Sequence, residues 1–159
     1  MSQLENFTFD EITIGQTATY SKIVSEQDIQ LFAVVSGDAN PVHLDEAYAA
    51  GTQFQGRIAH GMLTGALVSA AIATTLPGPG SIYLGQSLRF RAPVRIDDTI
   101  TVSLEVTEKN DRRQFVTLEC RIYNQDEKLV ASGTADVMAP SEKLRIDPPP
   151  LPTVQVTSS

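Results

Sequence analysis

The sequence has a single cysteine, Cys120, no tryptophan and only two histidines, His43 and His60. One thiol excludes an intrachain disulfide framework, and one cysteine with two histidines is too few for a conventional zinc cage. A reducing compartment, most simply the cytoplasm, fits that scarcity of sulfur. The opening Met-Ser-Gln-Leu-Glu lacks the basic region and apolar run of a signal peptide, so export is not expected. A long hydrophobic run is missing too. The most apolar stretch, residues 58–76, is interrupted by Gly61, Thr64, Gly65 and Ser69. It falls short of the about 18 uninterrupted apolar residues of a membrane span and reads as a buried helix. Basic residues are few, 12 against 19 acidic, and the net charge of -7 repels a polyanion at long range, which argues against nucleic acid as a partner. A small anionic ligand of coenzyme A type stays compatible, because a few local cations can hold phosphates against a screened field. Arg57, Arg89 and Arg91 are the candidates, although each also reads as a solvated surface arginine.

What is present suits one domain. The 159 residues, 42% of them hydrophobic, can bury a core without disulfides or metal. No repeat or charge block divides residues 1–140, whereas residues 141–159 form a proline-rich tail with Pro148, Pro149, Pro150 and Pro152. Such a tail is expected to lie extended on the surface or to be partly mobile. Residues 17–24 read as a first strand. Ser25 then caps a helix with Glu26 and Asp28 in its first turn and Val24 and Ile29 at staple spacing. That helix should stop near Ser36-Gly37. Pro41 keeps the next segment, residues 38–43, from continuing it, so this segment is expected to be a loop. Asp45 should open a short helix through Ala50.

Residues 58–76 are apolar around most of the helical circumference, which predicts a helix buried all round. Beyond it the periodicity changes to two. Ile82, Leu84, Leu88 and Phe90 alternate with polar residues, and Ile100 to Val106, Val116 to Ile122 and Leu129 to Val137 repeat the pattern. Turn formers at Asp97-Asp98, Asn110-Asp111 and Asn124-Gln125-Asp126 separate these runs and predict a meandering antiparallel sheet. An α+β architecture follows, with a curved one-sided sheet wrapped around the central helix, the arrangement called a hot-dog fold.

Two segments carry chemistry. Ser36-Gly37-Asp38-Ala39-Asn40-Pro41-Val42-His43 places a carboxylate and an imidazole five residues apart, a pair able to move protons near neutral pH. Alone, Asp38 reads first as a turn or cap residue, His43 as a satisfied structural histidine, and Asn40 and Pro41 as loop shape. Arg57-Ile58-Ala59-His60-Gly61-Met62-Leu63 opens the apolar helix, where unpaired N–H groups and the helix dipole can stabilise an oxygen that becomes negative. Gly61 permits close approach there, and equally it permits tight helix-to-sheet packing. His60 reads as structural rather than catalytic. Ser69 falls near the face of Gly61, where it could bond a catalytic carboxylate or merely its own backbone. Gly61, Gly65, Ser69 and Ile72 follow at steps of four, four and three, so Ile72 is expected to close a pocket running along that face.

Phe32 to His43, Arg57 to Leu63 and a third block, Gly80-Ser81-Ile82-Tyr83-Leu84-Gly85-Gln86-Ser87-Leu88-Arg89-Phe90, together resemble the MaoC-like, or hydratase 2, family of R-specific enoyl-CoA hydratases. The resemblance spans residues 11–140 and is nearest to the members that feed polyhydroxyalkanoate synthesis. It implies hydration of trans-2-enoyl-CoA to (R)-3-hydroxyacyl-CoA by a homodimer without metal or redox cofactor, supplying polyhydroxyalkanoate monomers from fatty acid oxidation. It also implies that Asp38 and His43 bind and activate water, that Ser69 supports Asp38, and that the Gly61 N–H receives the thioester oxygen. Which member of the pair is base and which is acid stays open. A hot-dog acyl-CoA thioesterase and a non-catalytic acyl-CoA binding module share the fold and remain the alternatives.

Overall fold

A computed structural model describes residues 2–157. Local signals set most of its elements. β1 (Leu4–Glu5) precedes β2 (Thr17–Ile23), and α1 (Glu26–Ser36) begins at a capping box in which Ser25 Oγ accepts from Asp28 N–H at 3.1 Å and Asp28 returns the bond to Ser25 N–H at 2.9 Å. Val24 and Ile29 are both buried beside this cap. Gly37 ends α1 in the left-handed conformation, φ 79°, which costs glycine nothing. Next come α2 (Pro41–Leu44), α3 (Glu46–Ala50), opened by Asp45 as expected, and α4 (Gly61–Thr74). β3 (Ile82–Phe90), β4 (Thr99–Asn110), β5 (Phe115–Tyr123), β6 (Leu129–Met138) and β7 (Arg145–Ile146) complete the order.

Five strands form one antiparallel sheet in the order β2-β4-β5-β6-β3. β4, β5 and β6 are the expected meander, but β3 skips across the sheet to pair with β6, so it is an edge strand and not the neighbour of β4. The reason lies in residues 91–98, which leave the edge through Pro93 and bridge Ile58 at Arg95 before β4 begins. Alternation on β4 and β5 sends Ile100, Val102, Leu104, Val106, Val116, Leu118, Cys120 and Ile122 into the core. A register shift at Ile122/Tyr123 buries Val130 as well as Ala131 on β6. Gly133 brings β3 and β6 together, since a Cβ there would stand 1.9 Å from Ser87 O.

α4 lies on the buried face of the sheet against β2, β3 and β4, which makes the architecture a hot-dog fold. The helix is not buried all round. Leu63, Thr64, Leu67, Val68, Ala71 and Ile72 face the core, while Met62 and Ala66 are exposed and Gly65 and Ser69 are half-covered. Beside this open face β3 packs Leu88 on the core and Phe90 across Gly61, while Ile82, Leu84 and much of Phe90 stay exposed, so the alternation predicted for that strand is present but its apolar side is only partly covered. The terminal segments are joined. β7 pairs with β1, Gln3 donates to Asp147 at 3.0 Å, and Gln27 donates to Val154 O at 2.8 Å. No helix among the described residues is long and apolar enough to cross a membrane.

Candidate active site

Two caps bring the Asp38–His43 segment to one end of α4. Ser36 Oγ accepts the N–H of Asp38 at 3.1 Å, directly after the Gly37 turn. Asn40 Oδ1 then accepts the N–H of Val42 at 3.2 Å, and Pro41 fills the first position of α2, where its missing N–H is no loss. Asn40 and Pro41 therefore start a single helical turn, and His43 sits on that turn instead of on an open loop. Asp38 is exposed, and its Oδ1 accepts the N–H of Asn40 at 3.2 Å, the ordinary turn bond.

His43 is only 8% exposed. Its Nδ1 lies 2.8 Å from Ile58 O, and because a carbonyl can only accept, Nδ1 carries a hydrogen, which in the neutral ring leaves the lone pair on Nε2. His60 Nε2 lies 3.0 Å from Asp38 O, which by the same logic protonates Nε2 and leaves Nδ1 bare, buried and without a partner. The rings stack at 3.8 Å with 27° between their planes, and Phe32 tilts against the far side of His60 at 4.9 Å. Burial first, and then the neighbouring His43, hold His60 below the usual histidine pKa against the pull of the Asp38 carbonyl, so it stays neutral.

Gly61 is the first residue of α4, after a His60 cap whose side chain makes no capping bond. The opening N–H groups of a helix have no intrahelical acceptor and carry the positive end of its dipole. Phe90 lies across this point: a Cβ on Gly61 would sit 3.0 Å from its Cζ. Both expectations for Gly61, close approach and tight packing, thus concern one spot. His43, His60, Gly61, Thr64, Phe90 and Arg91 line a cavity of about 380 Å³. Phe90 also borders a second, open groove of about 690 Å³ with Met62, Gly65, Ser69, Tyr83 and Leu88.

Asp38, His43 and Gly61 are therefore brought together, and Ser69 is not. Ser69 stands about 12 Å farther along α4 by helical rise, in the open groove, and among the described residues no hydrogen bond joins it to Asp38. Ile72 is also displaced from its expected place. It faces the core at 2% exposure and lines neither cavity, because three residues from Ser69 the helix has already turned toward the sheet. Arg57 is committed elsewhere: its Nε donates to His43 O at 2.8 Å and one terminal nitrogen meets Glu26 at 2.8 Å. Arg91 borders the first cavity while its Nε donates to Ser132, and Arg89 is exposed on β3. Thr64 and Phe90 also line the cavity and were not singled out as site residues from the sequence, and His60, read there as structural, lies between Asp38 and Gly61. For His60 a signal existed, a second imidazole beside the helix-opening glycine in a chain with only two. Asp38, His43 and His60 each bring a possible ligand atom within 4.8 Å of the others, and each imidazole donates one ring N–H to a main-chain carbonyl, which leaves one nitrogen per ring for other chemistry.

The segment holding this geometry, residues 10–126, matches the family described as MaoC like domain. The chain belongs to the MaoC-like family. Among MaoC-like proteins it is similar to a solved structure of R-hydratase PhaJ1 from Pseudomonas aeruginosa, 54% identical with a TM-score of 0.94 over 98% of this chain and 100% of that one. It is 48% identical over 135 residues to an (R)-specific enoyl-CoA hydratase of Rhodospirillum rubrum, covering 84% of this chain and 92% of the relative. A third MaoC-like protein, the (R)-hydratase of A. caviae involved in PHA biosynthesis, is 43% identical with a TM-score of 0.79 over 81% of this chain and 98% of its own.

Proposed function

We propose that this protein is an (R)-specific enoyl-CoA hydratase that adds water to trans-2-enoyl-CoA and supplies (R)-3-hydroxyacyl-CoA for polyhydroxyalkanoate synthesis. The observation that carries the reading is that a carboxylate oxygen of Asp38 and a ring nitrogen of each of His43 and His60 lie within 4.8 Å of one another, while His43, His60 and the Gly61 end of α4 line one apolar cavity. Water bound by the pair gives up a proton as its oxygen bonds C3, a proton is delivered to C2, and the charge that builds on the thioester oxygen meets the Gly61 N–H. Asp38, His43 and Gly61 are the reacting set. Ser69 is assigned to the groove that takes the acyl chain and acts on Asp38 only if the groove rearranges around substrate. We assign residues 1–140 to the hydratase domain and residues 141–159 to a tail, whose β7 pairs with β1 and whose Val154 O accepts from Gln27.

The same reading makes the protein a cytoplasmic homodimer. An edge strand that exposes Ile82, Leu84 and Phe90 beside the open face of α4 is a surface that single chains seldom leave uncovered. A second copy would cover it and wall the open groove.

Purified protein given crotonyl-CoA tests the activity. Loss of enoyl absorbance without thiol release, coupled to a dehydrogenase specific for the (R) alcohol, is expected. Thiol release from saturated acyl-CoA would establish the thioesterase instead, and binding without turnover the non-catalytic module.

A further inference from the structure

We propose that His60 is a positioning residue: with His43 it forms a reciprocal strap that fixes the proton-transfer segment against the amino end of α4. The inference rests on the hydratase reading. Its substance is an exchange between two chain segments. His43, on α2, donates to Ile58 O at 2.8 Å, two residues before His60, and His60 donates back to Asp38 O at 3.0 Å. Each imidazole thus holds the main chain of the other's segment, and the rings lie face to face at 3.8 Å. Ile58 N–H to Val42 O at 3.3 Å and Arg57 Nε to His43 O at 2.8 Å tie the same two segments.

What His60 adds is position at three places. Its bond to the Asp38 carbonyl fixes the residue from which the carboxylate projects. Its stacking sets the plane of His43 and so the direction of the Nε2 lone pair. As the residue before Gly61, it also sets where the first helix N–H points. Phe32 closes the outer face of the ring, so His60 cannot turn away without repacking α1. A histidine kept only for packing would not need an orphaned buried nitrogen, since an aromatic ring of similar shape carries none. Burial first, and then His43 on α2, hold His60 below the usual histidine pKa against the bond to the Asp38 carbonyl and the Asp38 charge, which raise it; what the strap requires of the ring is a hydrogen on Nε2.

The test compares His60→Phe, which keeps a ring but no donor, with His60→Gln, whose side-chain amide can still donate to Asp38 O. Crotonyl-CoA is the substrate, and thermal unfolding checks the fold. His60→Phe is expected to lose on the order of 10²-fold in kcat with KM nearly unchanged, the cost of slightly misplaced reacting groups. His60→Gln should recover at least about tenfold of that loss. Wild-type kcat in folded His60→Phe, a loss confined to KM, or a His60→Gln no better than His60→Phe would each overturn the strap. Nitrogen NMR of histidine-labelled wild type decides independently of folding and of turnover. With two histidines, a single variant assigns both rings; His60 should show Nε2 protonated and Nδ1 bare, and His43 the reverse. A His60 protonated at Nδ1 with Nε2 bare at neutral pH overturns the proposal. Failure of wild type to hydrate crotonyl-CoA would instead remove the hydratase reading, leaving the NMR result to judge the strap.

Discussion

At the scale of single residues, the site divides labour between groups that are exposed and groups that are held. Asp38 is exposed, and His43 is buried with Nδ1 fixed on Ile58 O. Asp38→Asn and His43→Gln are therefore each expected to fold and to lose about 10² to 10⁴ in hydration rate, the usual cost of removing a positioned proton-transfer group. Steady-state kinetics on protein checked for deamidation reads the outcome. His60 gives a pH signature separate from catalysis. Its pKa is lowered in the folded protein, so the unfolded chain binds the proton more readily. The stability at issue is intact above the ordinary histidine value, near 6.5, and is lost as pH falls from there toward the depressed folded value. Denaturant unfolding between neutral and mildly acidic pH should show wild type losing stability on acidification, and His60→Gln should flatten that slope.

At the scale of elements, what could be read in advance depended on whether the deciding interactions were local. The cap at Ser25, the stop at Gly37 and the alternation of β4 and β5 are each set within a few residues of sequence, and each was legible. The turn that carries Asp38 and His43 had the same local signals, although the one-turn helix at Pro41 required seeing Asn40 as a cap. The place of β3 was not legible, because pairing with β6 is decided by a crossover of residues 91–98 and by the missing side chain of Gly133, not by periodicity. Nor was the open face of α4, since a helix of uniformly apolar composition does not say which side the sheet covers. Two substitutions test these elements. Ile72→Ala opens a hole under the core face of α4 and should cost about 2–5 kcal/mol by chemical denaturation. Gly133→Ala drives a methyl into Ser87 O and should cost about 1–3 kcal/mol or more by forcing β3 from β6.

At the scale of the whole molecule, the uncovered strip of β3 and α4 predicts assembly. Wild type should elute and scatter light as a dimer. Leu84→Lys, a change at a position 46% exposed in the single chain, should shift it toward monomer while leaving the fold intact. A monomeric wild type would overturn the proposed homodimer.

The pairing of β1 with β7 carries a consequence for how the chain could be rewired. Gln3 and Asp147 are in hydrogen-bond contact, so the two ends of the folded body nearly meet, and the order in which its elements are threaded is open to change. A circular permutant that fuses Asp147 to Gln3 through a short glycine linker, drops residues 148–159 and begins at Arg112 in the exposed β4–β5 turn should retain the fold and the hydratase rate. Its circular dichroism and turnover, compared with the natural order, would measure how far this architecture depends on where its chain starts.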